Sequence, residues 1–299
     1  MSSSFPNQRS NGSTGSSLAR SSMSPRTLFS TVMTILAFVC GILALLPLLA
    51  VLSYVLIQGF SSLSPSLFTE LPPPPLVQGG GFANAIVGTL IMVGVGALVS
   101  IPIGVLAAIY LTEFSTANVA RGVRFATNVL SGVPSIIAGV FAYGIIVATT
   151  RTYSAMAGGV ALSILMLPII VRTTDEALQL VSKDLRQASV GLGATNFQTV
   201  SQVVLPAALP AVVTGATLAI ARAAGETAPL LFTALFSQFW PTSLFAPTAS
   251  LAVLVFNFAI SPFKNQQSLA WAAALILVLL VLLTSIIARW ATSRKAYSA

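Results

Sequence analysis

Residues 175–232 read DEALQLVSKDLRQASVGLGATNFQTVSQVVLPAALPAVVTGATLAIARAAGETAPLLF, and this stretch decides how the rest of the chain is read. Its first part, Asp175 to Pro206, is the longest polar interval in an otherwise apolar sequence. It holds Lys183, Asp184, Arg186 and Gln187 ahead of a Gly191-Leu192-Gly193 break. Its second part, Ala207 to Phe232, is long enough to cross a bilayer, for which ~20 apolar residues suffice. Arg222 and Glu226 lie in its interior. A solvated helical loop feeding a charged apolar helix suits a coupling device, a permeation element, or both.

The rest of the chain sets this stretch in a membrane. Of 299 residues, 56% are hydrophobic and 7% charged, with a mean hydropathy of +0.93; soluble domains carry about 25% charged residues. The apolar runs are continuous rather than alternating every second residue, so the expected class is an all-α integral membrane protein and not a barrel. The net charge of +8 does not indicate nucleic acid, because the cations stand at the ends of apolar runs, where they report topology. One cysteine, Cys40, excludes a disulfide framework within the chain. There is no histidine, which removes the commonest metal ligand and general base. No G-x-x-x-x-G-K-[ST] run occurs, so ATP-driven work would need a separate ATPase. No metal, cofactor or catalytic residue is expected.

Residues 1–26 are Ser-rich, with Arg9, Arg20 and Arg26, and read as a disordered cytoplasmic tail. A signal peptide is the alternative, but the following apolar run is too long for one. Spans are expected at about Leu28–Ile57 (kinked at Pro47), Phe82–Leu111, Phe125–Ala148, Tyr153–Val171, Leu209–Phe236 and Leu269–Trp290. Gln58 to Gly81, with Pro72 to Pro75 and three glycines, reads as an irregular external loop. A membrane-dipping piece is placed near Ala249–Ile260, too short for a span. With six spans and both termini inside, eleven cations fall inside and two, Arg151 and Lys264, outside, with Arg222 left in the membrane.

Within the polar interval, Asp184 to Leu192 reads as a short helix, Asn196 as a cap, and Phe197, Val200, Val203 and Val204 as one apolar stripe ended by Leu205-Pro206. Such a pair of helices either docks in a groove of a soluble partner or lies on the membrane surface. Arg222 and Glu226, four apart, are expected on one helical face. They are either a structural ion pair or an anion-pathway site, in which the guanidinium fork meets an oxyanion and the carboxylate moderates its hold. Gly94 and Gly96 are expected to let helices approach closely. Glu113 is expected to pair with Arg121 or Arg124.

Two motifs carry a resemblance. Gln187-Ala188-Ser189, three residues, Gly193, nine residues, then Val203-Val204-Leu205-Pro206 is similar to the EAA loop of binding-protein-dependent ABC importer permeases, with Gln187 and Ser189 departing from its Glu and second Ala. Arg222-Ala223-Ala224-Gly225-Glu226-Thr227-Ala228-Pro229-Leu230-Leu231 resembles the signature of phosphate-uptake permeases of the PstA type, as do Gly132 to Ile136 and Ala270 to Ala274. The resemblance runs from about Phe82 to Trp290. It implies a six-helix type I ABC importer permease fold in a bacterial cytoplasmic (inner) membrane. A permease domain would span residues 82–290, with its coupling loop at 173–208, after a first helix and external loop at 27–81 and before a cytoplasmic tail at 291–299. It implies a homologous PstC-type permease, a dimer of PstB-type ATPases and a periplasmic or extracellular PstS-type phosphate-binding protein as partners, besides lipid. It implies that Gln187, Ala188, Ser189, Gly193, Leu205 and Pro206 meet the ATPase, and that Arg222, Glu226 and Arg172 serve the substrate path. By its position alone, Arg172 reads first as an inner-face topology anchor. The alternatives are a permease for sulfate or molybdate, a secondary transporter, and a structural membrane subunit.

Overall fold

The computed structural model describes residues 25–296, all helical or irregular, with no strand among them. Most of the expected Ser-rich tail, including Arg9 and Arg20, lies outside the described residues. The chain forms two units, Met1–Ser53 and Tyr54–Ala299. In the first, the described residues are helical throughout and belong to α1 (Pro25–Ser61), which continues on both sides of Pro47.

The second unit is a helix bundle. It contains α2 (Ala83–Phe114), α3 (Ala117–Ser131), α4 (Ser135–Thr150), α5 (Ala155–Gln179) and α6 (Lys183–Gly191), then α7 (Asn196–Ala224), α8 (Ala228–Thr233), α9 (Leu251–Ala259) and α10 (Lys264–Ala296). Five helices, α1 included, are long and apolar enough to cross a membrane, and six spans result if α3 and α4 count as one. They do not form the continuous third span expected from the sequence. The two helices meet at 100° across Gly132-Val133-Pro134. A residue before proline is driven out of helical geometry, and proline itself cannot continue the ladder, so the chain turns there. α3 packs inward through Ala120, Arg124 and Thr127 and leaves Phe125, Val129 and Leu130 exposed.

α2 and α5 pack closely through small residues. A Cβ at Gly96 would lie 3.2 Å from the Gly159 carbonyl, and one at Gly104 2.8 Å from Ile170. Between apolar helices in lipid, close packing replaces the hydrophobic drive available in water, so small residues mark the contact. Of the two glycines singled out in the sequence, Gly96 makes this contact and Gly94 faces open space. Gly96 and Gly104 mark the contact with α5, whereas Gly88 abuts the Ala249 carbonyl.

The loop before α2 is irregular but ordered. Leu67 and Phe82 are fully buried beside Leu254, Phe258 and Leu269, and the Phe82 N–H bonds the Leu67 carbonyl at 3.1 Å. At the same end of the bundle, residues 234–250 bridge helix starts. Ser154, Ala155 and Met156 donate their N–H groups to Thr233, Ala246 and Leu244, and Asn84 donates to Ser237 at 2.9 Å. The three backbone bonds satisfy N–H groups that a helix start leaves unpaired, while Asn84 bonds through its side-chain amide. The chain then turns into the bundle: the Leu251 N–H donates to Thr89 Oγ1 at 2.8 Å, two turns inside α2, and α9 leads back out to Ser261. The segment near Ala249–Ile260 is thus the short helix α9, packed into the bundle through Leu251, Leu254 and Phe258.

Candidate functional site

The expected fifth span, Leu209–Phe236, is instead the long helix α7, a break at Gly225-Glu226-Thr227, and the short helix α8. Pro229 explains the break. In an unbroken helix its ring would strike the carbonyl of Gly225 and leave it without a donor. Arg222 is thus in the last turn of α7, and Glu226 lies past the helix end rather than on its face. The two still meet, with Arg222 Nε 3.6 Å from Glu226 Oε1. That is a charge contact but too long for a hydrogen bond. Among the described residues no hydrogen bond engages the Arg222 guanidinium, so its donor fork stays open.

The height of the pair follows from packing. Gly215, two turns earlier on α7, abuts Thr173 of α5; a Cβ there would come within 2.1 Å of Thr173 Oγ1. Ala219 and Ala223 lie in one buried cluster with Met92, Leu162 and Met166, from the inner parts of α2 and α5. Arg222 therefore stands well inside the bundle's length. It does so on the uncovered face of α7, in line with Ala211, Thr214 and Leu218, while Ala208, Val212, Gly215, Ala219 and Ala223 form the packed face. Beside this outward face, a cavity of about 280 Å³ opens between α7 and α10, lined by Thr214, Leu218, Ala221, Ser285 and Arg289. The Arg222 side chain is 53% exposed and that of Glu226 16%. A guanidinium at such a height needs water, a substrate or a partner chain on this face, because lipid alone leaves it unpaid at a cost of ~2.5 kcal/mol or more.

Arg172 does not join this pair. It lies near the other end of α5, where Nε donates to Glu176 at 2.9 Å, and it borders a cavity of about 140 Å³ with Arg124, Thr127, Asn128 and Asp175. Asp175 is the buried centre of that end. Its carboxylate accepts from Arg124 Nε and Nη2, both at 2.8 Å, from Thr112 at 2.7 Å and from Gln179 at 2.8 Å. The expected partners of Glu113 are therefore wrong. Arg124 is taken by Asp175, and Glu113 pairs with Arg186, 73 residues away. The reason is geometric: a π-turn over Tyr110–Phe114 ends α2 beside α6. Asp175, beside Glu176 at the end of an apolar run, gave no partner by its sequence position, because its partners come from three separate elements.

The polar interval folds as two short helical pieces around a turn. α6 spans Lys183–Gly191, and Ser182 caps it through Asp184 N–H. α7 starts with a capping box in which Thr195 and Gln198 serve each other; Thr195 is the cap, not Asn196. Gln187 and Ala188 are exposed, and Ser189 Oγ lies 3.0 Å from Thr199 Oγ1. Val200 and Val204 are buried but Phe197 is 73% exposed. The expected stripe fails because a π-turn over Val200–Val204 holds more residues than an α-turn and rotates Phe197 away from the core. Nor does Leu205-Pro206 end the helix; the Leu205 N–H bonds the Val200 carbonyl and α7 runs on through exposed Pro206. Leu185, Leu192 and Phe197 are thus exposed apolar side chains in the same segment as Gln187 and Ala188.

Gly193 sits in the turn with φ of +88° and no neighbour within 4 Å of a Cβ. Its constraint is backbone conformation, not space. Replacing Gly193 by Val is expected to cost about 1–2 kcal/mol locally and to shift α6 against α7. Hydrogen exchange over residues 183–199 should rise in the variant; unchanged protection would show that the turn tolerates a side chain.

Comparison with known proteins fits this geometry. The family model described as "Binding-protein-dependent transport system inner membrane component" matches residues 100–297. The protein named phosphate transport system permease protein PstA from Yersinia pestis is 44% identical over 80% of this chain and 82% of its own length. Its namesake from Pasteurella multocida is 40% identical over 88% and 94%. Among solved structures, a chain of a bacterial alginate ABC transporter superposes with a TM-score of 0.64 at 14% identity, covering 90% of this chain and 96% of the other. One from the inward-facing MetNI methionine ABC transporter gives 0.55 at 22% identity, covering 71% and 93%; both show the shared fold. The chain belongs to the binding-protein-dependent transport system inner membrane components and, within them, to the PstA family of phosphate transport permeases.

Proposed function

We propose that this chain is the transmembrane permease subunit of an ATP-driven phosphate importer and forms half of its translocation path. The observation that carries the reading is Arg222, an open guanidinium fork on an uncovered helix face deep in the bundle, in a chain 44% identical to a phosphate permease. A homologous permease of the PstC type would cover that face and complete the path. A dimer of PstB-type ATPases would receive Gln187, Ala188, Ser189 and the exposed Leu185, Leu192 and Phe197, with Gly193 setting the turn and Leu205 and Pro206 the exit. A PstS-type protein would deliver phosphate at the opposite end. Both termini are then cytoplasmic, in the inner membrane of a bacterium, and α6 faces the cytoplasm. Closure of the ATPases would push on α6, and phosphate would pass Arg222 and leave near Arg172. No bond of the substrate is broken by this chain.

The test is uptake of labelled phosphate by cells lacking their own high-affinity system and supplied with this chain and its partner subunits. Energy-dependent phosphate accumulation, unaffected by excess sulfate or molybdate, is the expected result. Accumulation of sulfate or molybdate without phosphate would replace the substrate and keep the importer. No accumulation at normal membrane abundance of all subunits would remove both.

A further inference from the structure

None of the nine residues of α6 is buried. A helix that short is marginal alone, and apolar packing does not fasten it to the bundle. Its attachment is polar. Arg186 donates through Nη1 to Glu113 Oε1 and through Nη2 to the Leu178 carbonyl at 2.6 Å. The side chains of this ion pair are 22% and 11% exposed, so water and salt screen it less than a surface pair. Glu113 belongs to the π-turn that ends α2, and its neighbour Thr112 donates to Asp175, which in turn holds Arg124 of α3 in a two-pronged contact. Directed polar contacts therefore run without a gap from α6 to the end of α2, then to α5 and α3, whose far end is the 100° bend.

We infer that Arg186 is a positioning residue for coupling: its pairing with Glu113 makes the end of α2 follow α6, and the Thr112–Asp175–Arg124 contacts carry that displacement to α3. The inference rests on the proposed function, in which the ATPase acts on α6. Two features favour it over a merely cohesive role. The pair joins the unburied helix to a π-turn, a segment with a looser hydrogen-bond ladder that can change register. The second bond of Arg186, to the last turn of α5, fixes the direction in which α6 can pull.

The experiment uses the whole importer in proteoliposomes, with phosphate imported per ATP hydrolysed as the readout. Arg186→Glu, Glu113→Arg and the double reversal are compared with the intact chain, each with ATPase co-purification and thermal midpoint measured. Each single reversal should lower the ratio about tenfold, and the double reversal should restore it to within about threefold of the intact chain. A purely cohesive role would lower the midpoint and leave the ratio of assembled importer unchanged, which would overturn the inference. So would a double reversal no better than the singles. Absence of phosphate uptake by the intact complex strikes the proposed function instead. The same cycle is then read in binding-protein-stimulated ATP hydrolysis, where loss in the singles and recovery in the double sustain the inference and unchanged stimulation ends it.

Discussion

Arg222→Gln lowers phosphate uptake by about tenfold to a hundredfold, the loss expected when a charged, two-pronged hydrogen-bond donor to an oxyanion becomes a neutral amide. The abundance of the chain in the membrane should not fall. Arg222 is half exposed on the outward face of α7, in line with Thr214 and Leu218 beside the cavity shared with α10, and its contact with Glu226 at 3.6 Å is too long to be a strong tie. Removing the charge relieves the solvation cost of Arg222 itself at that height, and the Gln amide keeps a donor beside the Glu226 carboxylate, which is 16% exposed. Arg222→Lys separates charge from shape: it keeps the cation but loses the planar fork, so uptake should fall between the intact chain and Arg222→Gln. The measurement is labelled uptake normalised to the amount of chain in the membrane. Uptake that survives Arg222→Gln makes the pair with Glu226 structural and leaves the polar turn at Gly193 as the remaining functional element.

Asp175→Ala has its effect on stability. The carboxylate is 6% exposed and accepts from Arg124 twice, from Thr112 and from Gln179. Deleting it leaves a guanidinium and two polar side chains without their acceptor at the junction of α2, α3 and α5. Breaking a buried ion pair on one side costs about 3–5 kcal/mol. The lower end applies here, because the Arg124 side chain is 40% exposed and can turn to water. Thermal unfolding in detergent, followed by the fluorescence of Trp240, Trp271 and Trp290, should show a lowered midpoint. Arg124→Ala, which leaves Asp175 with two neutral donors, should be similar, and the double replacement should cost less than the sum of the two. Additive effects would mean that the two residues do not depend on each other.

Much of this architecture was legible in the sequence because membrane helices announce themselves by length and apolarity. On that basis α1, α2 and α10 were placed to within about six residues and the short segment at α9 to within two, while α5 runs eight residues past its expected end at Val171. The breaks were harder. Pro134 and Pro229 both interrupt helices, yet Pro47, Pro206 and Pro210 lie within helices that continue. Proline marks where a helix can break, and the neighbouring packing decides whether it does. Phe197 was misjudged because a π-turn rotates it, and periodicity assumes a uniform turn. In the candidate site, Arg222 and Glu226 stood out because charges in an apolar run are rare. Glu113, Arg186, Asp175 and Arg124 were visible as charges but not as one network, since they lie in polar segments at the ends of apolar runs where charge is ordinary. Their pairing spans 51 and 73 residues of sequence, and only the folded bundle joins them.

The bend at Gly132–Pro134 and the break at Gly225–Thr227 are linked by one contact. Gly139 lies so close to Pro229 that a Cβ on it would come within 2.5 Å of the proline Cα. Pro134 lies five residues before that touching point and Thr227 two, about 7.5 Å and about 3 Å of helix at about 1.5 Å per residue. The segments that follow them, α4 and α8, therefore lie side by side, with an interruption before each. A side chain at position 139 would have to part them, so the far halves of two interrupted helices pack as one unit, and that unit rests against α5. Glu226 lies in one of the two breaks, at the foot of that unit.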